Sequence, residues 1–283
     1  MRLLFTVVAA TIRDDLLNYA AALAYYFLFS MFPLLLLVAA LVSAANMREL
    51  VYHVVAALGR ALPHPAALLV RTQMHQLLAT SHGGLFTLGT ILALFSASQG
   101  FAGLIAALDR AYEVPETRPY WHVELLALGL TVTAGIWIVI ALALLLFGRR
   151  LLFFLAGPGV VGTTLAVVWP LIRWGAIAGF FILAIALLFH AAPNVKERSG
   201  RGIWPAALTT FIIWIAISIG LAFYVNNFGH FNAIYGSLGA VIVLMLWFYL
   251  LAVALLLGAE LHSELRRRAG LPRNPKYPPK LAA

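Results

Sequence analysis

Between Gly202 and Ala259 the chain runs 58 residues without a single Asp, Glu, Lys or Arg. A bilayer's hydrocarbon core of about 30 Å needs about 20 apolar residues in a helix. The stretch therefore holds two membrane crossings, joined by the polar turn Asn226-Asn227-Phe228-Gly229-His230-Phe231-Asn232. Inside a bilayer the backbone N–H and C=O groups find no water, so a crossing must satisfy them within its own segment and fold as helix. The fold class that follows is all-α, a polytopic membrane helical bundle.

The rest of the chain agrees. Only 10% of its 283 residues are charged and 63% are hydrophobic, against about 25% charged in soluble domains. Six spans are expected, at about 20–45, 84–108, 123–148, 171–192, 203–225 and 233–261, in a single membrane domain over 1–262. Arg13, Asp14 and Asp15 stand just before the first apolar run, which a cleavable signal would not show. Residues 2–18 place Leu3, Leu4, Val7, Val8, Ile12 and Leu16 at helical spacing, the pattern of a surface helix feeding the first span. Residues 48–80, split at Pro63-His64-Pro65, predict two short external helices. Residues 263–283 form a basic, Pro-rich tail.

Residues 151–170 are uncharged too, but Gly157-Pro158-Gly159, Gly162 and Pro170 interrupt them. They read as an interfacial or re-entrant segment, with the fourth span starting near Pro170, where proline suits a first helical turn; a seventh span is the alternative. With six spans and a cytoplasmic N-terminus, 13 of the Lys and Arg residues fall inside and 6 outside, as the positive-inside rule requires. The seven-span alternative satisfies the rule as well. Both put the tail, with Arg266, Arg267, Arg268, Arg273, Lys276 and Lys280, in the cytoplasm, where anionic headgroups attract it.

Several constellations are candidates for function. Asp109, Arg110 and Glu113 follow the second span, Arg201 precedes the fifth and Glu260 ends the sixth. Six-span topology gathers them at one membrane face, either as a gate or ion network at a cytoplasmic mouth or as a salt-bridge belt that secures helix ends. Charge is nearly absent inside the spans, and polar atoms at depth are limited to Ser30, Ser96, Ser98, Gln99, Ser218 and His190, with no acidic or basic relay at the midplane, which argues against a proton-driven antiporter. Ser30, Ser96, Ser98 and Gln99 are the candidate polar contacts within the bundle. Ser96, Gly100 and Gly103 fall on one face of the second span, Gly175 and Gly179 form a GxxxG pair and Gly236 with Ala240 a similar one, the pattern either of a lined pathway or hinge or of close helix packing or dimerisation.

Other chemistries lack their residues. There is no cysteine, the eight histidines have no ligand spacing and no HExxH occurs, so neither a metal nor a cofactor is expected. No phosphate-cradling GxxxxGK[ST] loop is present, and no nucleophile–base arrangement, so the chain does not read as an enzyme. The net charge of +9 concentrates in the juxtamembrane tail without interleaved aromatics, which points to lipid headgroups rather than nucleic acid.

Ala20-Ala21-Ala22-Leu23-Ala24-Tyr25-Tyr26 followed by Phe29-Ser30-Met31-Phe32-Pro33 resembles the first-span motif of the YihY/virulence factor BrkB family. Ala107-Leu108-Asp109-Arg110-Ala111-Tyr112 with Glu116-Thr117-Arg118, then Pro193-Asn194 with Pro205-Ala206-Ala207, resemble its later motifs. The most specific match is Asn227-Phe228-Gly229, Tyr235 to Ala240, and Leu257-Gly258-Ala259-Glu260-Leu261. Asp109 stands where Asn is expected in many members. The resemblance implies a six-span bacterial inner-membrane protein with both termini cytoplasmic. It delivers no mechanism; the old label ribonuclease BN finds no hydrated carboxylate or His cluster here for metal-assisted phosphodiester cleavage. Two readings stay open: a transporter or lipid translocase of the envelope, or a non-transporting membrane scaffold. A groove reaching from Asp109 and Glu260 towards Ser96 and Gln99 would favour the first, and a solidly packed interior the second.

Overall fold

The structure is a computed structural model, and it describes residues 2–44, 67–68, 72, 85–137, 160–195, 200, 202–228 and 238–270. All regular structure among them is helical: α1 Arg2–Arg13, α2 Leu16–Ala44, α3 Leu85–Ala111, α4 over 120–137, α5 Val160–Ala191, α6 Ile203–Phe228 and α7 Leu238–Arg268. Among the described residues three segments are long and apolar enough to cross a membrane, Val168–Ala191, Ile203–Asn227 and Leu238–Arg268. Of the connection at 48–80, Ala67, Leu68 and Thr72 are described and helical; the rest of that expectation lies outside the described residues.

The hinge between α1 and α2 is the pair Asp14-Asp15. Asp15 takes a left-handed backbone with φ 59°, tolerable for Asp because its short side chain bonds locally. Here Oδ1 accepts from Asn18 Nδ2 at 2.8 Å, while the Asp15 carbonyl accepts from the Asn18 and Tyr19 amides as α2 begins. The corner turns Val7, Ala10 and Asp14 inward and leaves Phe5, Val8 and Ile12 exposed.

The core lies where residues 104–114, 185–192, 203–207 and 252–259 meet, towards one end of the bundle. Small side chains set the distances there. Gly100 faces Phe27 and Ser30, and Gly103 faces the Tyr26 ring, so α2 and α3 lie close along their length. Gly258 on α7 is the tightest approach. A Cβ there would run into the Thr210 side chain on α6 and lie 3.2 Å from the Phe189 ring on α5. Higher in the bundle, Trp247 Nε1 on α7 donates to Ser218 Oγ on α6 at 3.2 Å, and Phe181 on α5 stacks on Trp214 at 4.1 Å.

Three expectations differ from what is observed. Helix α5 begins at Val160 and runs through Pro170, so that proline sits inside the helix rather than in its first turn. Proline removes one intrahelical bond, yet a membrane helix tolerates it when neighbouring groups or local adjustment cover the freed carbonyl; residues 151–159 lie outside the described residues. Asn226, Asn227 and Phe228 continue α6, with Asn227 Nδ2 bonded to the Phe223 carbonyl at 2.8 Å, and the remainder of the expected turn is not among the described residues. At the other end α7 continues to Arg268, so the first residues of the predicted tail are helical. It stops at Gly270, whose φ of +82° suits glycine after a helix.

Candidate functional site

Three sequence segments interlock at the charged end of the bundle. Helix α3 closes at Ala111, and Glu113 turns the chain with φ 54° while the Val114 amide bonds back to the Asp109 carbonyl at 2.9 Å. The buried Asp109 side chain points at the end of α5, where Oδ1 accepts from the Asn194 amide at 2.6 Å. Asn194 in turn donates through Nδ2 to the Pro115 carbonyl at 3.0 Å and to Thr117 Oγ1 at 2.8 Å. Arg118 completes the knot. It donates to Asp109 Oδ2 at 3.5 Å, to the Ala192 carbonyl at 3.0 Å, and to both Glu116 oxygens at 2.6–3.0 Å.

The electrostatics follow from the pairing. Burial pushes the Glu116 carboxyl up, but the side-chain and backbone hydrogen bonds from Arg118 outweigh it and hold the group below the usual carboxylate range. Burial likewise lowers the Arg118 guanidinium, and the Glu116 contact more than reverses that.

A second network ties α1, α3 and α7. Arg13 bonds Asp14 at 2.9 Å and also pairs with Glu113. Arg110 donates through Nε to the Asp14 carbonyl at 3.0 Å and lies 3.8 Å from its carboxylate. Arg267 from α7 lies 3.8 Å from Glu113 and bonds Glu264 at 2.7 Å. Glu260, one turn before Glu264, is 1% exposed, and its Oε1 accepts no hydrogen bond among the described residues. Next to it Tyr112 OH and His262 Nδ1 share a hydrogen bond at 2.5 Å, with the Arg266 guanidinium 5.8 Å from the Tyr112 ring centroid.

Of the predicted charged residues, the structure joins Arg110 and Glu113 in one network, places Asp109 in a separate one and buries Glu260 beside the former. Arg201 lies outside the described residues. Sequence reasoning did not single out Arg13, Asn194, Tyr112, His262 or Arg267 as contacts. Only the position of each at a helix end could have suggested it.

A cavity of about 230 Å³ opens beside Asp109, between α2, α3, the 112–119 loop and the start of α4. Asp109, Arg110 and Glu116 give its polar side, while Tyr19, Ala106 and Val123 are among the residues that give its apolar side. Ala102 marks its upper reach along α3. One turn further, Ser98 Oγ and Gln99 Nε2 both donate to Glu124 Oε1, at 3.0 and 2.9 Å. Glu124 departs from the expectation of a nearly charge-free interior: α4 begins at residue 120, so its second turn carries a carboxylate against α3. Ser30 bonds the Phe27 carbonyl of its own helix at 3.0 Å, and Ser96 is half-buried on α3.

The small residues divide. Gly100 and Gly103 lie in the α2–α3 contact, whereas Gly175 and Gly179 are exposed and a methyl at either would meet no described atom within 4 Å. They are no packing pair within the described bundle, because α5 turns that face away from its neighbours. Ala240 is half-buried on α7, and Gly236 lies outside the described residues.

Long apolar helices gathered at a charged end define a helical membrane protein. Residues 7–281 match the family model described as virulence factor BrkB, and the chain belongs to that family. It is similar to the ribonuclease-like protein YfkH of Bacillus subtilis, 37% identical over 259 residues, covering 91% of this chain and 93% of that one. It is also similar to a UPF0761 membrane protein of Photobacterium profundum, 29% identical, covering 91% of this chain and 79% of the relative. A further UPF0761 membrane protein, of Alteromonas mediterranea, is 27% identical and covers 94% and 88%. No solved structure matches the chain.

Proposed function

We propose that this protein is a six-span transporter or lipid translocase of the bacterial inner membrane, with both termini in the cytoplasm. The cavity beside Asp109 is the observation that carries the reading. The opening has Asp109, Arg110 and Glu116 at one side and small apolar residues of α3, Ala102 and Ala106, at another. Such a surface suits an amphipathic substrate with a polar head and apolar body. The ion-paired networks around it are the parts that would hold or release the mouth. The exposed Gly175–Gly179 face supports self-association, and the basic end of α7 supports contact with anionic headgroups.

The extensive pairing of the charged residues favours a second reading, a scaffold whose belt only secures helix ends. A ribonuclease is disfavoured: among the described residues no group of three His, Asp or Glu side chains is placed to hold a metal ion. Reconstitution into liposomes with fluorescent phospholipids separates the first two. Headgroup movement across the bilayer, reduced when Ala106→Trp fills the cavity, supports translocation. No movement for any lipid or amphiphile tested returns the scaffold.

A further inference from the structure

Helix α1 has two apolar faces, and the bundle covers only one. Val7, Ala10, Thr11 and Asp14 are buried where α1 packs on α7 and α2. On the other side Phe5 is 82% exposed, Ile12 67% and Val8 50%, and their i, i+3, i+7 spacing makes one stripe along the helix. The sequence pattern ran Val7, Val8, Ile12 and Leu16 together; the structure divides them, with Val7 and Leu16 turned inward and Val8 and Ile12 outward.

A helix of 12 residues is about 18 Å long, short of a hydrocarbon core of about 30 Å. It cannot carry that stripe across a bilayer and can only lay it along one. The corner at Asp14-Asp15 joins it directly to α2, the first expected span, and just past the corner Leu17 is exposed as well. The outward apolar surface of that span therefore continues into α1.

Charge at this end of the bundle has a direction. The side chains of Arg13, Arg267 and Arg268 keep 39%, 26% and 51% of their surface exposed, whereas their partners Asp14, Glu113 and Glu264 keep 7%, 7% and 14%. The ion pairs turn their acids inward and their cations outward. Paired as they are, the arginines still give the apolar stripe a positive rim, the combination that suits a helix lying on an anionic leaflet.

We propose that α1 is an interfacial helix that inserts Phe5, Val8 and Ile12 into the leaflet at the charged end of the bundle, where Arg13, Arg267 and Arg268 meet anionic headgroups. In the topology proposed above that leaflet is the cytoplasmic one. The insertion holds for a transporter and for a scaffold alike.

The chain has no cysteine, so Phe5→Cys, Val8→Cys and Ile12→Cys each create a single site for a spin label in the full-length protein. In nanodiscs of phosphatidylcholine and phosphatidylglycerol, all three labels should collide more often with oxygen than with a water-soluble nickel complex, at a depth of about 5–10 Å. A label at Thr6→Cys, exposed on the Arg13 side of the helix, should favour the nickel complex. Each labelled variant is first matched to the wild type in thermal unfolding, and three separate positions keep the test decisive if one fails to fold. Preferential collision with nickel at positions 5, 8 and 12 would place the stripe in water and overturn the proposal. Collision with neither reagent would mean that protein covers it, and spin–spin broadening between molecules in liposomes would identify that protein as a second copy; either overturns the proposal too. In discs of phosphatidylcholine alone the labels should move outward, and an unchanged depth would overturn the role given to the three arginines.

Discussion

Asp109 Oδ1 accepts the backbone amide of Asn194 at 2.6 Å, across 85 residues of sequence. The bond fastens the end of α3 to the end of α5, and the same carboxylate holds Arg118 through its other oxygen. It also explains how Asn could serve at position 109. An amide oxygen would still accept from Asn194, and only the charge facing Arg118 would be lost.

Asp109→Ala should therefore destabilise the protein by about 1–3 kcal/mol, the cost of stranding a buried donor. Asp109→Asn should cost less than half as much. Thermal unfolding in detergent measures both, and equal losses in the two variants would show that the charge, not the bond to Asn194, matters.

Gly258 has no room for a side chain. Gly258→Ala should cost about 1–3 kcal/mol through overpacking against Thr210 and Phe189. Thr210→Ala removes the hydroxyl that the new methyl would strike, so the double variant should be more stable than the sum of the single losses predicts. Strict additivity in that cycle would place the strain elsewhere.

The Glu116–Arg118 pair gives a pH dependence with a definite sign. Glu116 is held below its ordinary value of 4.5, so the folded state binds its proton less readily than the unfolded chain. Its stabilisation is complete above that value and disappears as pH falls below it. Unfolding midpoints of the wild type and Glu116→Gln should differ at neutral pH and converge as the pH falls into the acid range; the group is partly exposed, so the gap should be small. A gap that widens in acid would reverse the assignment.

Tyr112→Phe removes the hydroxyl bonded to His262 and leaves that ring nitrogen in a buried site. A loss of about 1–3 kcal/mol is expected. His262→Phe on the same background should add little more, because the bond is already gone. Hydrogen exchange at the end of α7 should report the loosening where the two helices part.

The small residues show how far the sequence could be read. Gly100–Gly103 and Gly175–Gly179 carry the same small-residue signal, yet the first pair lies under Tyr26 and Phe27 and the second faces outward. Spacing along a helix shows that a close approach is affordable, not that a neighbour comes. The charged residues behave alike. Counting spans placed Asp109, Arg110, Glu113 and Glu260 at one end, but not which would pair. Glu124 escaped notice because it stands at a span's edge, and only Ser98 and Gln99, 25–26 residues earlier, reveal that it faces inward.

Membrane residence, helical structure and family membership were properties of the sequence itself. A bilayer obliges each crossing to satisfy its own backbone bonds, so 58 uncharged residues determine helix without reference to anything distant. The tertiary structure alone decided that Asp109 meets Asn194, that Gly258 meets Thr210, and that a cavity opens beside Glu116 while Glu260 is sealed. Those outcomes depend on how helices far apart in sequence rotate and approach one another, a matter of side-chain volume and pairing through space that no local pattern records.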